Sequence, residues 1–334
     1  MFRIFLITFS MSLAVPAWAG GIDAAAINDA AYPAKLPSSK KPAAAVVKLQ
    51  ILLDRAHFSP GEIDGTLGDN ARKALRAFAE ARGSGSGTTL SPELWNQLTA
   101  TTDAPTIVEY KITEADTGGP FLKHLPAKME EMKGLKALSY RSPREGLSEK
   151  FHISEDLLAA LNPGKRFDRP GEVILVPNVL VRADRMAISR VEVDKSRESV
   201  TALDAAGRVV AFFPATVGSS EKPTPSGAFK VTSTDPDPTY RYDPAYKFKG
   251  VKSRKPFTIR PGPNNPVGSF WIGLSAQGYG VHGTAAPDSV GKTASHGCVR
   301  LTNWDARFLG ENIKRGTPVV FIDAPDSATL GSAR

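Results

Sequence analysis

The chain has 334 residues, 41% of them hydrophobic and 23% charged, which supplies material for two or three domains, each with its own core, and excludes wholesale disorder. Its formal charge of +8 favours a polyanionic setting, although the basic residues are scattered rather than clustered. The single cysteine, Cys298, excludes an internal disulfide.

In chain order, the first segment places Arg3 ahead of an apolar run and small residues at Ala17 and Ala19, the pattern that signal peptidase cleaves. The run falls short of the roughly 20 residues a membrane helix needs and is broken by Pro16. Residues 1–19 are therefore predicted to be a signal peptide, giving a periplasmic protein with no transmembrane anchor after cleavage. No cysteine lies near the cut to carry a lipid. An exported protein meets no nucleic acid, so the charge is assigned to anionic cell wall or membrane surface. A free thiol in an oxidising compartment risks mispairing, so Cys298 calls for a chemical reason.

Residues 20–42, rich in Ala, Pro, Ser and Lys without periodicity, read as a flexible tether. Val46, Leu49, Leu53 and Ala56 then recur at helical spacing, and after Ser59-Pro60-Gly61 and Ile63-Asp64-Gly65 a second such face appears at Ala71, Leu75 and Phe78. Ser91 as N-cap and Pro92 open a third helix carrying Leu94, Trp95 and Leu98. Residues 43–100 thus form one helical unit. It resembles the peptidoglycan-binding domain of three short helices, in which a Leu-Gln helix is followed by Phe-x-Pro-Gly-x-Ile-Asp-Gly, here Phe58, Pro60, Gly61, Ile63, Asp64 and Gly65. The resemblance implies contact with wall glycan; the chain departs from it at Phe78-Ala79, where that family has Phe-Gln.

Residues 106–180 begin with a predicted strand, Ile107 to Ile112, followed by an insertion around 114–138. Ser142-Pro143-Arg144-Glu145 reads as a capping box opening a helix with Leu147 and Phe151. A second helix starts at Ser154, carries Leu157, Leu158 and Leu161, and stops at Asn162-Pro163-Gly164 before a strand from Val173 to Val176. This order looks like a LysM module, the fold that cradles N-acetylated sugars; a spacer docked on the next domain is the other reading.

From Arg185 the period becomes alternating, with strands at Ile188 to Val193, Val200 to Leu203, Val209 to Phe213, Phe229 to Thr232, Phe257 to Ile259, Phe270 to Ile272, Tyr279 to Val281 and Val319 to Ile322. These imply a closed barrel or a sandwich of about 140 residues. One helix is expected within it, capped by Asn303, with Phe308, Leu309 and Ile313 as its buried stripe. Residues 324–334 read as a tail.

Two of the five histidines, His282 and His296, and the only cysteine fall within one stretch of this domain. A thiol attacks an acyl carbon well only as thiolate, so a neighbouring imidazole is required, and either histidine could serve. Gly283 and Gly297 permit close backbone approach, with amides near Cys298 facing a developing oxyanion. A metal site from His282, His296, Cys298 and Asp288 is disfavoured, because His-Gly-Cys adjacency suits tetrahedral chelation poorly. No cofactor is expected.

The run His282-Gly283-Thr284 followed by Ser295-His296-Gly297-Cys298-Val299-Arg300-Leu301 resembles the signature of the YkuD-type L,D-transpeptidases, with likeness extending over residues 185–323. The resemblance implies a mostly β catalytic domain, Cys298 as nucleophile and His282 as its base. It further implies that the Gly283 carbonyl orients the imidazole and that the Gly297 and Cys298 amides form the oxyanion hole. Ser295 and His296 would shape the loop, and Arg300 would organise the site or meet a substrate carboxylate. The implied substrate is the peptidoglycan stem tetrapeptide, which loses terminal D-Ala to a thioester. An amine acceptor then gives a 3–3 cross-link, a wall-attached lipoprotein or an exchanged D-amino acid. Water in its place gives an L,D-carboxypeptidase, an amidase would use the same thioester, and a non-catalytic wall-binding protein would have no use for the thiol.

Overall fold

The computed structural model describes residues 22–37, 40–101, 103–180, 185–219, 221–246, 251–295 and 297–323. The predicted signal peptide, the tail and His296 lie outside the described residues. No helix among the described residues is long and apolar enough to cross a membrane.

Part of the stretch read as a tether is folded. Asp23 caps α1 (Ala24–Asn28), accepting from the Ala26 amide at 2.7 Å, and Ile27 is fully buried. The Asn28 side chain accepts from the Ile107 N–H at 2.8 Å and donates to the Ile107 carbonyl at 3.1 Å. One amide thus satisfies both backbone groups of Ile107, a tertiary bond that leaves no periodicity in so short a helix.

The helical unit consists of α2 (Ala44–Arg55), α3 (Asp69–Ala81) and α4 (Pro92–Thr99). Its core is not its own. Leu49, Leu52 and Leu53 of α2 pack with Leu75, Phe78 and Trp95, and Phe212 of the following sheet completes that cluster. Val47 and Ile51 enter a second cluster with Ile63, Leu147, Phe151 and Ile153. Since α2 carries apolar residues on two faces, it is buried between two neighbours.

Next, β1 (Ile107–Lys111) and β2 (Val173–Pro177) pair antiparallel, with Ile107 opposite Pro177. Between them lie α5 (Glu114–Thr117), α6 (Met129–Met132), α7 (Pro143–Lys150) and α8 (Glu155–Leu161). Ser142 caps α7 by accepting from the Glu145 N–H at 3.1 Å, but the expected reciprocal bond is not made. The Glu145 carboxylate instead takes the Arg141 amide and, at 3.0 Å, the Arg141 guanidinium, a charge-assisted alternative that outcompetes a neutral N–H. Asn162 ends α8 and bridges it to β2 by two bonds with Leu175, at 2.7 and 2.8 Å.

The last part holds β3 (Arg190–Asp194), β4 (Ser199–Leu203), β5 (Val209–Pro214), β6 (Gly227–Pro236), β7 (Tyr240–Tyr242), β8 (Phe257–Ile259), β9 (Phe270–Leu274), β10 (Gly280–His282), β11 (Val299–Arg300), α9 (Asn303–Asn312) and β12 (Pro318–Ile322). Where a closed barrel or a sandwich was expected, one eight-stranded sheet forms, in the order β11-β10-β9-β6-β12-β3-β4-β5, with β7 and β8 as a separate pair. It curls until its ends touch: Thr216, just past β5, exchanges two backbone hydrogen bonds of 2.9 Å with Arg300 of β11. Alternate residues such as Val191, Val193, Val200, Ala202, Ala211 and Phe213 fill its concave core, where α9 adds Ala306 and Leu309. The cap of α9 is Thr302, which accepts from the Asp305 N–H at 3.2 Å, and not Asn303, which is the first helical residue. That shift frees the Asn303 amide for other bonds.

The three parts meet at residues 57–63. His57 and Ser59 each bond to Phe212 of β5 through the backbone at 2.9 Å, while Ile63 takes His152 and Ser154 at 2.8 and 3.0 Å. The turn from Phe58 to Gly65 is thus a three-way joint.

Candidate active site

The short parallel pairing of β10 and β11 sets the site. Val281 lies opposite Val299 and His282 opposite Arg300, so Cys298 falls level with Gly280. Val281 and Val299 turn into the core, and by alternation His282, Cys298 and Arg300 project together from the other face. Strand neighbours lie about 4.8 Å apart, which brings residues separated by a loop in sequence into one small patch.

Within it, His282 is buried and its Nδ1 lies 2.7 Å from the Gly283 carbonyl. A carbonyl only accepts, so Nδ1 carries the proton and the lone pair stays on Nε2. Gly283 cannot be larger, because a Cβ there would fall 2.2 Å from Asn303 Oδ1. Trp271 of β9, the register partner of His282, stacks on the imidazole with centroids 5.7 Å apart and planes 18° apart. Sequence reading did not single out Trp271. Its signal was present in the outward-facing position between Phe270 and Ile272, both of them core residues.

Burial, with the Arg300 charge second, lowers the His282 pKa to about 4. Burial likewise pushes the Cys298 thiol up, opposed by a Gly280 backbone hydrogen bond and by Arg300. The Cys298 Sγ also lies 3.8 Å from the Gly278 carbonyl. At neutral pH the pair therefore rests as thiol and neutral imidazole, with Nε2 ready to accept a proton. The Arg300 guanidinium faces Cys298 electrostatically and forms no ion pair with a carboxylate among the described residues.

Ser295 organises the turn into Cys298. Its hydroxyl donates to the Cys298 carbonyl at 2.5 Å and accepts the Gly297 N–H at 3.1 Å, while its backbone N–H reaches the Val217 carbonyl at 2.8 Å. The Gly297 N–H, expected to face an acyl oxygen, points here to the Ser295 hydroxyl. Gly297 matters for shape: its φ is +108°, and a Cβ would meet Tyr279 at 2.8 Å. His296, the other candidate base, lies outside the described residues. The intervening loop is anchored by Thr216 Oγ1, which accepts from the Gly291 N–H at 2.9 Å, and by Asn70 of α3, whose Nδ2 donates to the Val290 carbonyl at 2.8 Å.

Residues 188–321 match the YkuD family, described as the L,D-transpeptidase catalytic domain. The chain is 33% identical over 134 residues to the putative L,D-transpeptidase YqjB of Bacillus subtilis, covering 39% of this chain and 68% of that protein. Likeness to the putative L,D-transpeptidase YkuD of Bacillus licheniformis is 27% over 177 residues, or 52% of this chain and 90% of the relative. For the probable L,D-transpeptidase YbiS of Escherichia coli it is 29% over 194 residues, 56% of this chain and 62% of that protein, so the chain spans less than two thirds of this relative. The signature face of β10 and β11 and these matches together identify the chain as a member of the L,D-transpeptidase family, with residues 188–321 as its YkuD catalytic domain.

Proposed function

We propose that the protein is an exported peptidoglycan L,D-transpeptidase in which Cys298 is the nucleophile and His282 its general base. The observation that carries the reading is the Nδ1 bond to Gly283, which leaves Nε2 basic on the face that also bears the only thiol. In the first step the Cys298 sulfur bonds to the carbonyl carbon following the L-centre of the third stem residue. Its proton passes to His282 Nε2 and then to the departing D-Ala amine as the C–N bond breaks. In the second step an acceptor amine attacks the thioester, loses its proton to His282, and the thiol returns. The Cys298 amide is the oxyanion donor, and Arg300, with no carboxylate partner of its own among the described residues, receives the stem-peptide carboxylate.

The acceptor amine is a second stem peptide, a lipoprotein lysine or a free D-amino acid. The leader-like residues 1–19 support a periplasmic site of action. The helical unit and the unit of residues 106–180, which we read as peptidoglycan-binding-like and LysM-like, hold the stem peptide's glycan near the catalytic sheet.

The test is incubation of the mature protein and Cys298→Ala with disaccharide tetrapeptide, followed by intact-mass spectrometry and chromatography. Wild type alone should gain a stem-acyl adduct and yield cross-linked dimers. Tripeptide without dimers would make the enzyme an L,D-carboxypeptidase. A Cys298→Ala variant that still supports wall synthesis in cells would leave only a wall-binding role.

A further inference from the structure

Glu149 belongs to the last turn of α7, outside the catalytic domain, yet its carboxylate reaches the back of the active site. It accepts from Asn303 Nδ2 at 2.8 and 3.0 Å and from the Tyr140 hydroxyl at 3.3 Å. The same Asn303 nitrogen donates to the Pro263 carbonyl at 3.1 Å, and Oδ1 accepts the Ser269 N–H at 2.9 Å. Two glycines are moulded around this amide. A Cβ at Gly268 or Gly283 would fall 2.1 or 2.2 Å from Asn303 Oδ1, so the Gly283 peptide rests directly on it. The carbonyl of that peptide holds His282 Nδ1 at 2.7 Å.

An asparagine amide has two orientations, and its partners select one. Here a flip would set Nδ2 against the Ser269 N–H and give up the Nδ2 bonds to the Pro263 carbonyl and the Glu149 carboxyl group. The Ser269 and Pro263 backbone groups favour the observed orientation, and the acceptor on α7 adds two further contacts to it. Joining two units requires no buried carboxylate, since an apolar contact serves as well without the desolvation penalty. Burial of its carboxyl end raises the Glu149 pKa to about 8 although part of the side chain remains exposed.

We propose that Glu149 is a positioning residue for His282: by fixing the Asn303 amide it holds the Gly283 peptide, and through its carbonyl the imidazole, in the orientation that takes the Cys298 proton. The inference rests on the reading of His282 as the base of Cys298. It makes residues 106–180 a support of the active site, because Ser269 and Pro263 of the catalytic domain hold part of the Asn303 amide while the acceptor that completes its bonding comes from α7.

The test compares full-length wild type, Glu149→Ala and Glu149→Gln by two readouts. One is the rate of acyl-adduct formation with disaccharide tetrapeptide. The other is the exchange-protected downfield proton of His282 Nδ1–H, assigned by its loss in His282→Ala. Glu149→Ala should lose or broaden that proton and slow acylation by about tenfold or more with the half-saturating tetrapeptide concentration nearly unchanged, as small misplacement of a catalytic group does. Glu149→Gln keeps an acceptor for Asn303 and should restore both readouts.

An alanine variant with normal acylation and an intact proton signal overturns the proposal even if its melting temperature falls, since Glu149 would then only join the units. A glutamine variant as slow as alanine overturns it too, because charge rather than acceptor geometry would be at work. Should Glu149→Ala fail to fold, Glu149→Asp, which withdraws the carboxylate by one methylene, carries the same expectation. If wild type forms no adduct, the transpeptidase reading fails, while the histidine proton still decides the positioning role.

Discussion

Cys298 and His282 are each displaced from their ordinary titration by the same cause, burial, acting in opposite directions. The His282 pKa, lowered to about 4, leaves the imidazole neutral at neutral pH. The thiol, pushed up by burial, stays protonated there. In the proposed mechanism proton transfer then accompanies attack on the acyl carbon, with no stored thiolate–imidazolium pair before it. Alkylation of Cys298 by iodoacetamide should accordingly climb with pH through and beyond the ordinary thiol range of about 8.5, without a plateau on the acid side. A plateau between about pH 5 and 7 would reveal a preformed ion pair and defeat this account. Trp271 belongs to the same balance, since its ring covers the imidazole face and helps keep water from it.

The loop between His282 and Cys298 is held from outside the catalytic sheet. Asn70 of α3 gives its Nδ2 to the Val290 carbonyl at 2.8 Å, but the Oδ1 of the same amide is buried without a partner among the described residues. Asn70→Ala removes a good bond and an unfavourable burial together, so the expected change in global stability is under about 1 kcal/mol. The effect should be local. Hydrogen exchange of residues 285–294 should speed up in Asn70→Ala while the rest of the sheet keeps its protection. Unchanged exchange in that loop would show that Thr216 alone anchors it. A similar economy governs α9, where the cap passes from Asn303 to Thr302 and the asparagine amide becomes available to Ser269 and Glu149. The letter at a helix start did not say which of two capping residues would be spent there.

For the molecule as a whole, the joint between the three parts concentrates buried titratable groups around a cavity of about 250 Å³ lined by Asp54, His57, His152, Trp304 and Asp305. His152 pairs with Asp54 at 3.0 Å and stacks on Trp304, and Ser59 donates to the Asp305 carboxylate at 2.9 Å. Burial raises the pKa of Asp305 to about 7 and that of Glu62 to about 7, the latter helped by Asp288, while Glu149 rises to about 8. Against its own burial, Asp54 raises that of His152. Carboxyls with raised folded-state values bind protons that the unfolded chain has released, so their contribution is complete below the unfolded value and is lost as pH climbs to the folded one. His152 works in the same sense, its contribution fading as pH rises through its raised value. His57 and His282, both lowered by burial, oppose this only at acid pH, below about 6.5, where the unfolded chain protonates them. The melting temperature should therefore fall between pH 6.5 and 8. Asp305→Asn, which can still accept from Ser59, should flatten the part of that fall up to about pH 7. A melting temperature that stays level or rises across the interval would exclude net destabilisation by these groups.

Much of the strand pattern, the cap of α4, and the grouping of His282, Gly283, Ser295, Gly297, Cys298 and Arg300 were legible in the sequence. Each depends on chemistry that acts over a few residues: alternation, a side-chain cap, a glycine turn, a thiol near imidazoles. Which of the two expected forms would arise, a sheet curled onto itself or a sandwich, was not legible, because the bonds between Thr216 and Arg300 join positions that no local period links. Neither was the folding of α1 against Ile107, nor the sharing of α2 between two cores, since both depend on which surfaces arrive opposite. The Phe58-to-Gly65 turn reads as a glycan-binding signature by its letters, yet its backbone is spent on Phe212, His152 and Ser154. Local residue types set which reactive groups the chain carries; long-range packing alone decided that Glu149 and Asn70, far away in sequence, would stand behind the histidine and the loop, because burial and hydrogen-bond satisfaction are settled between elements.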